Sequence, residues 1–552
     1  MAKNSPHQAP SKRAIELLKL EKQDIFIIVL LTAGSGLLAF AIPLAVQSLI
    51  NVVTMGGVAQ PLIIVSFILF ILLSISGALY MLEYYVVELI QRRIFVRGAL
   101  QSAERAQAMD ISLADTSNPI ELMNRFFDVS TVQKTSYQLL TKGLAAALQA
   151  LLGSIVLMFY SFYFALISLL MLMMTWLVIS VLGKLALQSA IQESYAKYNM
   201  AAWLESIAHH LNIFKFGKGK LLATHQADQL ASDYLTRRSK HFSMLFKQNL
   251  LAVMVYAVAG SLMLGLGGWL VMQGQINLGQ FVAAELIIFS VLGAFHNFIS
   301  KLEYFYDLVA ALDKLDTIHN LPQEQSGSHV VTLEAPPSLA CKGLSYTVLA
   351  NSHTLTDITF NVDAGSSVAV MLESDLDRDM LADLLVGLRH PTQGVVQVNG
   401  LDLQQLDLSV LRSKIAFINH LEILQDSIES NLKLDQAVTL SEIQTVLQLL
   451  GLDKTIENLP QGLKTQLTPR GLPLTYTEQC LLMVARSLLA QPYLIVIDAI
   501  LDDIDIKTLA VVSQALQPIN QAWTLVVLTQ SVTVTHHFGK LVSIEKSDEG
   551  GR

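Results

Sequence analysis

The chain has 552 residues, of which 52% are apolar and only 15% are charged. An ordinary soluble protein carries about 25% charged residues, so a large part of this chain is predicted to lie in a lipid bilayer. The net charge of -8 argues against a nucleic-acid-binding protein, which needs a basic surface. The two cysteines, Cys341 and Cys480, lie far apart, which argues against a disulfide framework and a cysteine-based metal motif.

The first 24 residues are too polar for a cleaved signal peptide. Leucine and isoleucine residues alternate with lysines there, which favours a short helix on the membrane surface over a frayed polar tail. Because only these residues precede the first apolar run, we do not expect a peptidase domain that would process leader peptides.

Three long stretches, residues 25–82, 143–183 and 248–300, contain Glu285 as their only charged residue. A helix needs about 20 apolar residues to cross about 30 Å of hydrocarbon, and unsatisfied backbone groups in lipid enforce helical structure. Each stretch is therefore long enough for two crossings and a turn. We predict six membrane helices, at residues 25–50, 61–82, 143–160, 163–183, 248–272 and 281–300.

Lysine and arginine residues predict the orientation of these helices. The predicted turns contain none, whereas the N-terminal segment contains five, segment 83–142 seven and segment 184–247 nine. By the positive-inside rule, both long segments and both chain termini are predicted to be cytoplasmic. We expect a multi-pass membrane protein, which in a bacterium would lie in the inner membrane. Helical periodicity continues through residues 83–107 and 184–204, so the membrane helices should extend below the bilayer and turn back near 117–119 and 216–219.

The pattern of apolar and polar residues changes after residue 320. A polar linker at 321–330 is followed by short β-branched runs that alternate with helical stretches, which is typical of an α/β sheet. We therefore predict an N-terminal tail at 1–24, an all-α transmembrane domain at 25–320, and an α/β domain at 331–552.

Several phrases of the α/β domain resemble the nucleotide-binding domain of the ATP-binding cassette (ABC) family. These phrases are GLRHPTQG at 387–394, NGLDL at 399–403, LPQGL at 459–463 and ARSL at 485–488. The six-helix part, with Leu278-Gly279-Gln280 before its last helix, resembles an ABC exporter half-transporter. The resemblance implies a P-loop-type ATPase fold, ATP and Mg²⁺ as ligands, and a homodimer or heterodimer with two composite ATP sites.

The expected phosphate-binding loop departs from the family pattern. A P-loop, Gly-x-x-x-x-Gly-Lys-Ser/Thr, binds phosphate through backbone amides, a lysine and a Mg²⁺-binding hydroxyl group. Between a strand at 368–371 and a helix at 380–388, the matching residues are Leu372 and Asp377 for the glycines, Arg378 for the lysine and Asp379 for the hydroxyl residue. This loop carries a net charge of -3. At ~5 Å and an effective dielectric constant of ~20, each repulsive pair costs about 3 kcal/mol, so ATP binding is predicted to be weak or absent.

The other nucleotide-binding motifs of the family are also altered. The signature Leu-Ser-Gly-Gly-Gln corresponds to Leu474, Thr475, Tyr476, Thr477 and Glu478. The glycines that would let a helix N-terminus approach the γ-phosphate are thus replaced, and a carboxylate is added.

The family's magnesium-side aspartate is retained as Asp498, but the place of the catalytic glutamate holds Ala499. Gln530 stands for the switch histidine, and Asn419 or His420 for the magnesium-sensing glutamine. No catalytic position of the family is therefore intact.

Three candidate sites keep alternative interpretations. Asp498 is either a weak Mg²⁺ ligand or a residual strand-end carboxylate, and the second is favoured. The acidic segment 373–379 either chelates a divalent cation or is a solvated loop, and the loop is favoured. Glu285 either serves a substrate or proton in the membrane or lies at the outer interface. The adenine-stacking position falls at Val348.

Three functions follow from these observations. The chain is an export subunit that works with an active partner or within a secretion complex, or a non-hydrolysing pseudo-transporter with a structural or regulatory role. The third possibility is a weak but active ATP-driven exporter. The sequence does not identify the transported substrate.

Overall fold

A computed structural model describes residues 19, 21–54, 59–348, 353–517 and 522–544. Most of the predicted N-terminal surface helix and the centre of the predicted turn at 51–60 therefore lie outside the described residues. The chain divides into two compact units. Unit 1 comprises residues 1–108 and 118–321, and unit 2 comprises residues 109–117 and 322–552.

The described residues of unit 1 form six helical segments that are long and apolar enough to cross a membrane, as predicted. Its α-helices are α1 (Lys22–Ala39), α2 (Ala41–Thr54), α3 (Ala59–Gln107), α4 (Pro119–Asn124), α5 (Asp128–Gln138), α6 (Leu144–Met158), α7 (Phe162–His209), α8 (Leu211–Lys215), α9 (Gly219–Met272) and α10 (Leu278–His319). A 3₁₀ turn and a π-helical turn, Leu139–Gly143, connect α4, α5 and α6 into one of the six segments.

The long helices extend well past a bilayer. The helix α9 has 54 residues, and at a rise of 1.5 Å per residue it is about 80 Å long, more than twice the ~30 Å of hydrocarbon. The chain reverses where it was predicted to: Asn118 caps α4, and α8 ends at Lys215 before α9 begins at Gly219. Between α1 and α2 the helix is interrupted because Pro43 cannot donate a hydrogen bond to the carbonyl of Ala39.

The core of unit 1 forms around α10, which packs against α2, α5, α6, α7 and α9. Ile287, Ile288, Val291 and Leu292 of α10 are almost completely buried. Gly153 of α6 lies directly against this row, where the absence of a side chain permits the close approach of the two helices.

The described strands of unit 2 form two sheets. An antiparallel sheet has the strand order β2-β1-β4-β5, and a parallel sheet has the order β6-β7-β8-β3-β9. The strands are β1 (Leu339–Thr347), β2 (Thr354–Val362), β3 (Ser367–Leu372), β4 (Gln393–Val398), β5 (Leu401–Asp402), β6 (Ile415–Ile418), β7 (Leu494–Asp498), β8 (Thr524–Thr529) and β9 (Lys540–Ile544).

The helices of unit 2 are α11 (Asp375–Leu385), α12 (Leu408–Arg412), α13 (Ile428–Lys433), α14 (Leu440–Leu449), α15 (Asp453–Glu457), α16 (Tyr476–Leu489), α17 (Ile506–Leu516) and α18 (Val532–Thr535). Every residue of β7 and β8 is buried, as expected for parallel strands covered on both faces. Together with unit 1, this architecture confirms the predicted fold class, a helical transmembrane domain followed by an α/β domain.

The short segment 109–117 belongs to unit 2 although it lies between membrane helices in the sequence. The amide of Asp110 donates a hydrogen bond to the carbonyl of Pro322, at 3.0 Å. The guanidinium of Arg389 donates to the carboxylates of Asp115, at 2.6 and 3.0 Å, and of Asp383, at 2.8 Å. Arg389 thus joins this segment to the α/β domain, and these contacts raise its pKa in spite of its burial.

Replacing Arg389 with alanine should therefore release segment 109–117. The substitution also leaves Asp383 nearly buried without its cation, which is costly. We expect thermolysin to cleave near Leu113 much faster in R389A than in the wild type, as read by mass spectrometry of the fragments. Arg470→Ala, which removes an exposed arginine of the same unit, is the matched control, and equal cleavage in both variants would contradict the assignment.

Candidate functional site

The carboxyl ends of three neighbouring parallel strands, β7, β8 and β3, converge on one edge of the sheet. Ligand sites of open α/β folds form at this edge. The residues that follow these strands include Glu373 after β3, Ala499 after β7 and Gln530 after β8. The sequence-predicted positions of the P-loop, the catalytic carboxylate and the switch residue are therefore brought together.

The predicted loop at 372–379 is mostly helical. Only Glu373 and Ser374 separate β3 from α11, which begins at Asp375. The Ser374 side chain accepts a hydrogen bond from the amide of Asp377 and caps the helix, and acidic residues in a first turn are favourable. The expectation of a loop with a helix from residue 380 is thus wrong, because local capping extends the helix backwards. The first helical turn occupies residues that a P-loop would use to surround a phosphate.

Arg378 forms the centre of an ion-pair cluster. Its Nε donates to Oδ1 of Asp498 at 2.6 Å, although the two residues are 120 positions apart. Its terminal nitrogens donate to Asp375 at 2.7 Å and to Asp379 at 3.3 Å. Arg378 is 7% exposed and Asp498 is 1% exposed. The expectation of a solvated segment is therefore wrong for Arg378 and for Asp377, which are both buried.

The electrostatics of this cluster keep Arg378 charged. Burial lowers the pKa of Arg378, but the carboxylates of Asp498 and Asp379 outweigh burial and raise it above its ordinary value. Burial raises the pKa of the Asp498 carboxyl; Arg378 opposes this shift and Asp379 adds to it. The one positive charge of the segment is thus committed to carboxylates of the same chain.

Gln530 and Asp502 tie the strand ends together. Nε2 of Gln530 donates to the carbonyl of Glu373 at 3.2 Å, which joins the end of β8 to the end of β3. The carboxylate of Asp502 accepts hydrogen bonds from the Thr529 hydroxyl group and from the amide of Gln530, the latter at 3.0 Å. Asp502 was not predicted as a site residue, and only its acidic surroundings after β7 could have indicated it. Ala499 carries no group that could act as a base.

The signature segment forms the N-terminus of α16. Thr475 caps the helix, and Glu478 completes a capping box. The Glu478 carboxylate accepts a hydrogen bond from the Thr475 amide at 2.7 Å. The Tyr476 hydroxyl group donates to Asp503 at 3.4 Å. Leu474 is buried and Thr477 is half-buried. The positive end of this helix is therefore already neutralised by its own carboxylate.

The remaining predicted positions are Asn419, His420 and Val348. The side-chain oxygen of Asn419 accepts a hydrogen bond from the backbone amide of its neighbour His420 at 2.8 Å, and His420 is exposed. Val348 is buried at 6% exposure, so this residue presents no exposed ring for adenine. Tyr346 packs against the core, and its hydroxyl oxygen accepts from Arg389 at 3.1 Å.

In unit 1, Glu285 is half-buried near the start of α10. The more deeply buried carboxylate of the membrane helices is Glu83, which is 2% exposed beside Thr32 of α1. One of its oxygens has no hydrogen-bond partner among the described residues. Glu83 lies one residue beyond the predicted end of the second membrane helix and was not predicted to be buried, although it directly follows 58 residues without Asp, Glu, Lys or Arg.

Comparisons with known proteins agree with this architecture. Residues 25–295 match the family described as "ABC transporter transmembrane region", and residues 355–501 match the family "ABC transporter". The solved structure of a bacterial Atm1-family ABC exporter with ATP bound superimposes with a TM-score of 0.79 at 17% identity, over 96% of this chain and 94% of that one. This likeness shows the fold.

Curated relatives match part of the chain. A multidrug efflux ATP-binding/permease protein of Mycobacterium bovis is 29% identical over 50% of this chain and 23% of its own length. The ATP-dependent lipid A-core flippase of Legionella pneumophila is 21% identical over 43% of this chain and 41% of its own. The chain spans about half the length, or less, of these curated relatives.

The two family matches follow each other in the order of unit 1 and the α/β domain, and together they cover most of the chain. Each half of the match corresponds to a unit with the expected architecture. The chain therefore belongs to the ABC transporter family, and in it a transmembrane region of that family is followed by an ABC transporter domain.

Proposed function

We propose that this chain is an ABC exporter subunit that does not hydrolyse ATP itself and works with an active partner. The observation that carries the proposal is the buried ion pair between Arg378 and Asp498. By family the domain is an ATP- and Mg²⁺-binding one, so Asp498 is the carboxylate that would serve Mg²⁺. Arg378 already provides Asp498 with a positively charged partner from the same chain. Mg²⁺ would therefore have to compete with a guanidinium group for this carboxylate.

The residues at this edge of the sheet do not fit Mg²⁺-ATP. A phosphate would meet the carboxylates of Asp375, Asp377 and Asp379. Arg378 is already paired with carboxylates of its own chain, and the ring of His353 lies 2.7 Å from Asp377. A micromolar site is worth about 8 kcal/mol, and two or three unfavourable pairs at about 3 kcal/mol each would offset it. The first turn of α11 also removes the loop whose amides would compensate.

The catalytic side of the site supports the same proposal. Ala499 provides no general base, and Gln530 is engaged by the backbone of Glu373. A water molecule at this position would therefore lack both a proton acceptor and an oriented switch residue. Hydrolysis by a complex would have to take place at the partner's own P-loop.

The location and the transported molecules belong to the proposal as well. The distribution of Lys and Arg supports a multi-pass position with both termini in the cytoplasm. Relatives are named for multidrug efflux and for flipping of the lipid A core, which supports a hydrophobic or amphipathic molecule as the exported substrate.

A second candidate, a non-hydrolysing pseudo-transporter, is favoured by one specific observation. The signature helix α16 is capped by its own Glu478, at 2.7 Å from the Thr475 amide. Because each composite site pairs one P-loop with the other subunit's signature, the chain would alter both sites of a dimer. A homodimer with a structural or regulatory role would then be the functional form.

The test is purification of the full chain from its native source, followed by identification of associated chains and measurement of ATP turnover. We expect a stoichiometric ABC half-transporter with an intact P-loop, and turnover that is lost when the partner's P-loop lysine is replaced. A homodimer without turnover would support the pseudo-transporter. Turnover by this chain alone that Asp498→Asn abolishes would contradict both.

A further inference from the structure

A cavity of about 350 Å³ lies within unit 1, between α1, α3, α5, α6 and α10. Its walls are almost entirely apolar, and side chains from all of these helices contribute, among them Val29, Ile94, Leu144, Phe298 and Leu312. Apolar cavities of about 150 Å³ already bind benzene-sized ligands, and ligand sites begin at about 300 Å³. The cavity is therefore large enough for a flexible hydrocarbon chain.

One wall of the cavity is the π-helical turn Leu139–Gly143. Leu139, Leu140 and Gly143 all line the space. Such turns are rare, and they occur frequently at functional sites because the extra residue displaces the helix locally. The absence of a side chain at Gly143 leaves additional room. The cavity thus coincides with a local distortion of the helix that forms its wall.

The cavity lies at the Lys- and Arg-rich ends of the membrane helices. Ile25 and Val29 belong to the beginning of α1, and Leu302 and Leu308 to the last part of α10. This is the leaflet that we propose above to be cytoplasmic. The cavity is therefore at a depth where the hydrocarbon chains of that leaflet meet their headgroups.

The charges around the cavity favour an anionic ligand. Glu21 lines the space but is held by Arg97 at 2.9 Å and by Arg93 at 3.2 Å. Lys301 also lines it, and its ammonium lies 5.3 Å from the centre of the Tyr304 ring. Lys301 has no carboxylate within ion-pair distance in the described part of the chain. An apolar cavity beside an uncompensated ammonium group matches an acyl chain attached to a phosphate.

We propose that this cavity binds an acyl chain of an anionic phospholipid from the adjoining leaflet, with the headgroup phosphate next to Lys301. Binding of this lipid does not require nucleotide, so the inference is independent of the state of the ATP site. In this proposal, Lys301 recognises the headgroup, and the π-helical turn forms part of the wall around the acyl chain.

The test uses the full chain in phosphatidylcholine vesicles that contain a trace of phosphatidylglycerol with a diazirine in its acyl chain. After irradiation, we expect adducts in peptides covering 139–147 and 298–312, and their loss on addition of unlabelled phosphatidylglycerol. Ala147→Trp, which fills the cavity from α6, should remove most of these adducts. Leu151→Trp, one turn further along α6 at an exposed position, should not.

Lys301→Gln should lower the preference for phosphatidylglycerol over a phosphatidylcholine probe about fivefold, because one lysine near an anionic lipid surface has an effect of that size. Competition by unlabelled lipid needs no variant, so it tests the proposal even if Ala147→Trp fails to fold. Adducts confined to exposed residues such as Phe67 and Phe70 would overturn the proposal. Equal labelling of the wild type by the two lipids would also overturn the proposal. So would a cavity that another chain covers and that carries no adducts.

Discussion

Replacing Arg378 with methionine should destabilise unit 2 by about 3–5 kcal/mol, because it leaves Asp498 as a buried carboxylate without its cation. Hydrogen exchange of the β7 amides in the full chain measures this loss, since all of β7 is buried. The exchange rates in R378M should rise by several orders of magnitude relative to the wild type.

The double variant Arg378→Met/Asp498→Leu should recover most of the stability, because an apolar pair of similar volume avoids the desolvation of two charges. Lys433→Met is the control: it removes one half of the ion pair with Glu429, whose side chains are about one-third exposed, and it should cost less than about 1 kcal/mol. If R378M and K433M behave alike, the buried ion pair between Arg378 and Asp498 does not stabilise unit 2 as described.

The defect of R378M should also depend on pH. Burial raises the pKa of Asp498 in the folded chain and Arg378 opposes this rise. Without Arg378, the folded state therefore takes up a proton at Asp498 more readily than the unfolded state, and does so to a greater extent in R378M than in the wild type. Stability from such a group is present at low pH and is lost as the pH rises through the folded pKa. The difference in exchange between R378M and the wild type should therefore be larger at about pH 8 than at about pH 5.5.

Replacing Gly153 with leucine should produce the second large effect, in unit 1. A Cβ atom at this position would come against a methyl group of Val291 and lie 3.1 Å from the ring of Phe40. Overpacking of this kind costs about 1–3 kcal/mol, and here both neighbours are buried. We expect a clear fall in the thermal unfolding temperature of the detergent-solubilised protein.

Gly77→Leu is the matched control for this substitution. Gly77 also lies in a membrane helix, α3, but a Cβ there meets no atom within 4 Å. Both substitutions raise the intrinsic helix propensity by about 1 kcal/mol. The difference between the unfolding temperatures of the two variants therefore reports on the packing of α6 against α10. Equal unfolding temperatures would show that the two helices do not approach each other as described.

The membrane helices could be predicted because their signal is local and strong. Fifty-eight consecutive residues without charge allow few structures in a bilayer, and capping residues such as Asn118 mark the turns. The extent of the helices beyond the bilayer was also readable, since periodicity continues through the charged residues. What the sequence does not show is which helix forms the core, because α10 is no more apolar than the others.

The candidate site was harder to predict, for two physical reasons. Residues 372–379 were interpreted as a loop by analogy with a P-loop, whereas Ser374 and the acidic residues after it form a local helix cap that the analogy concealed. The pairing of Arg378 with Asp498 joins residues 120 positions apart, and only the adjacency of β3, β8 and β7 in the folded sheet brings them together. The burial of Glu83 likewise depends on a neighbouring helix.

The most direct measurement of the central claim is nucleotide binding to the full chain in lipid nanodiscs. A photoreactive ATP analogue is titrated with Mg²⁺ to millimolar concentration, where a site worth only about 4 kcal/mol would begin to fill, and labelled peptides are identified. We predict no saturable labelling of peptides containing Arg378 or Tyr476. Saturable labelling of these peptides at micromolar analogue, displaced by unlabelled ATP, would contradict the account.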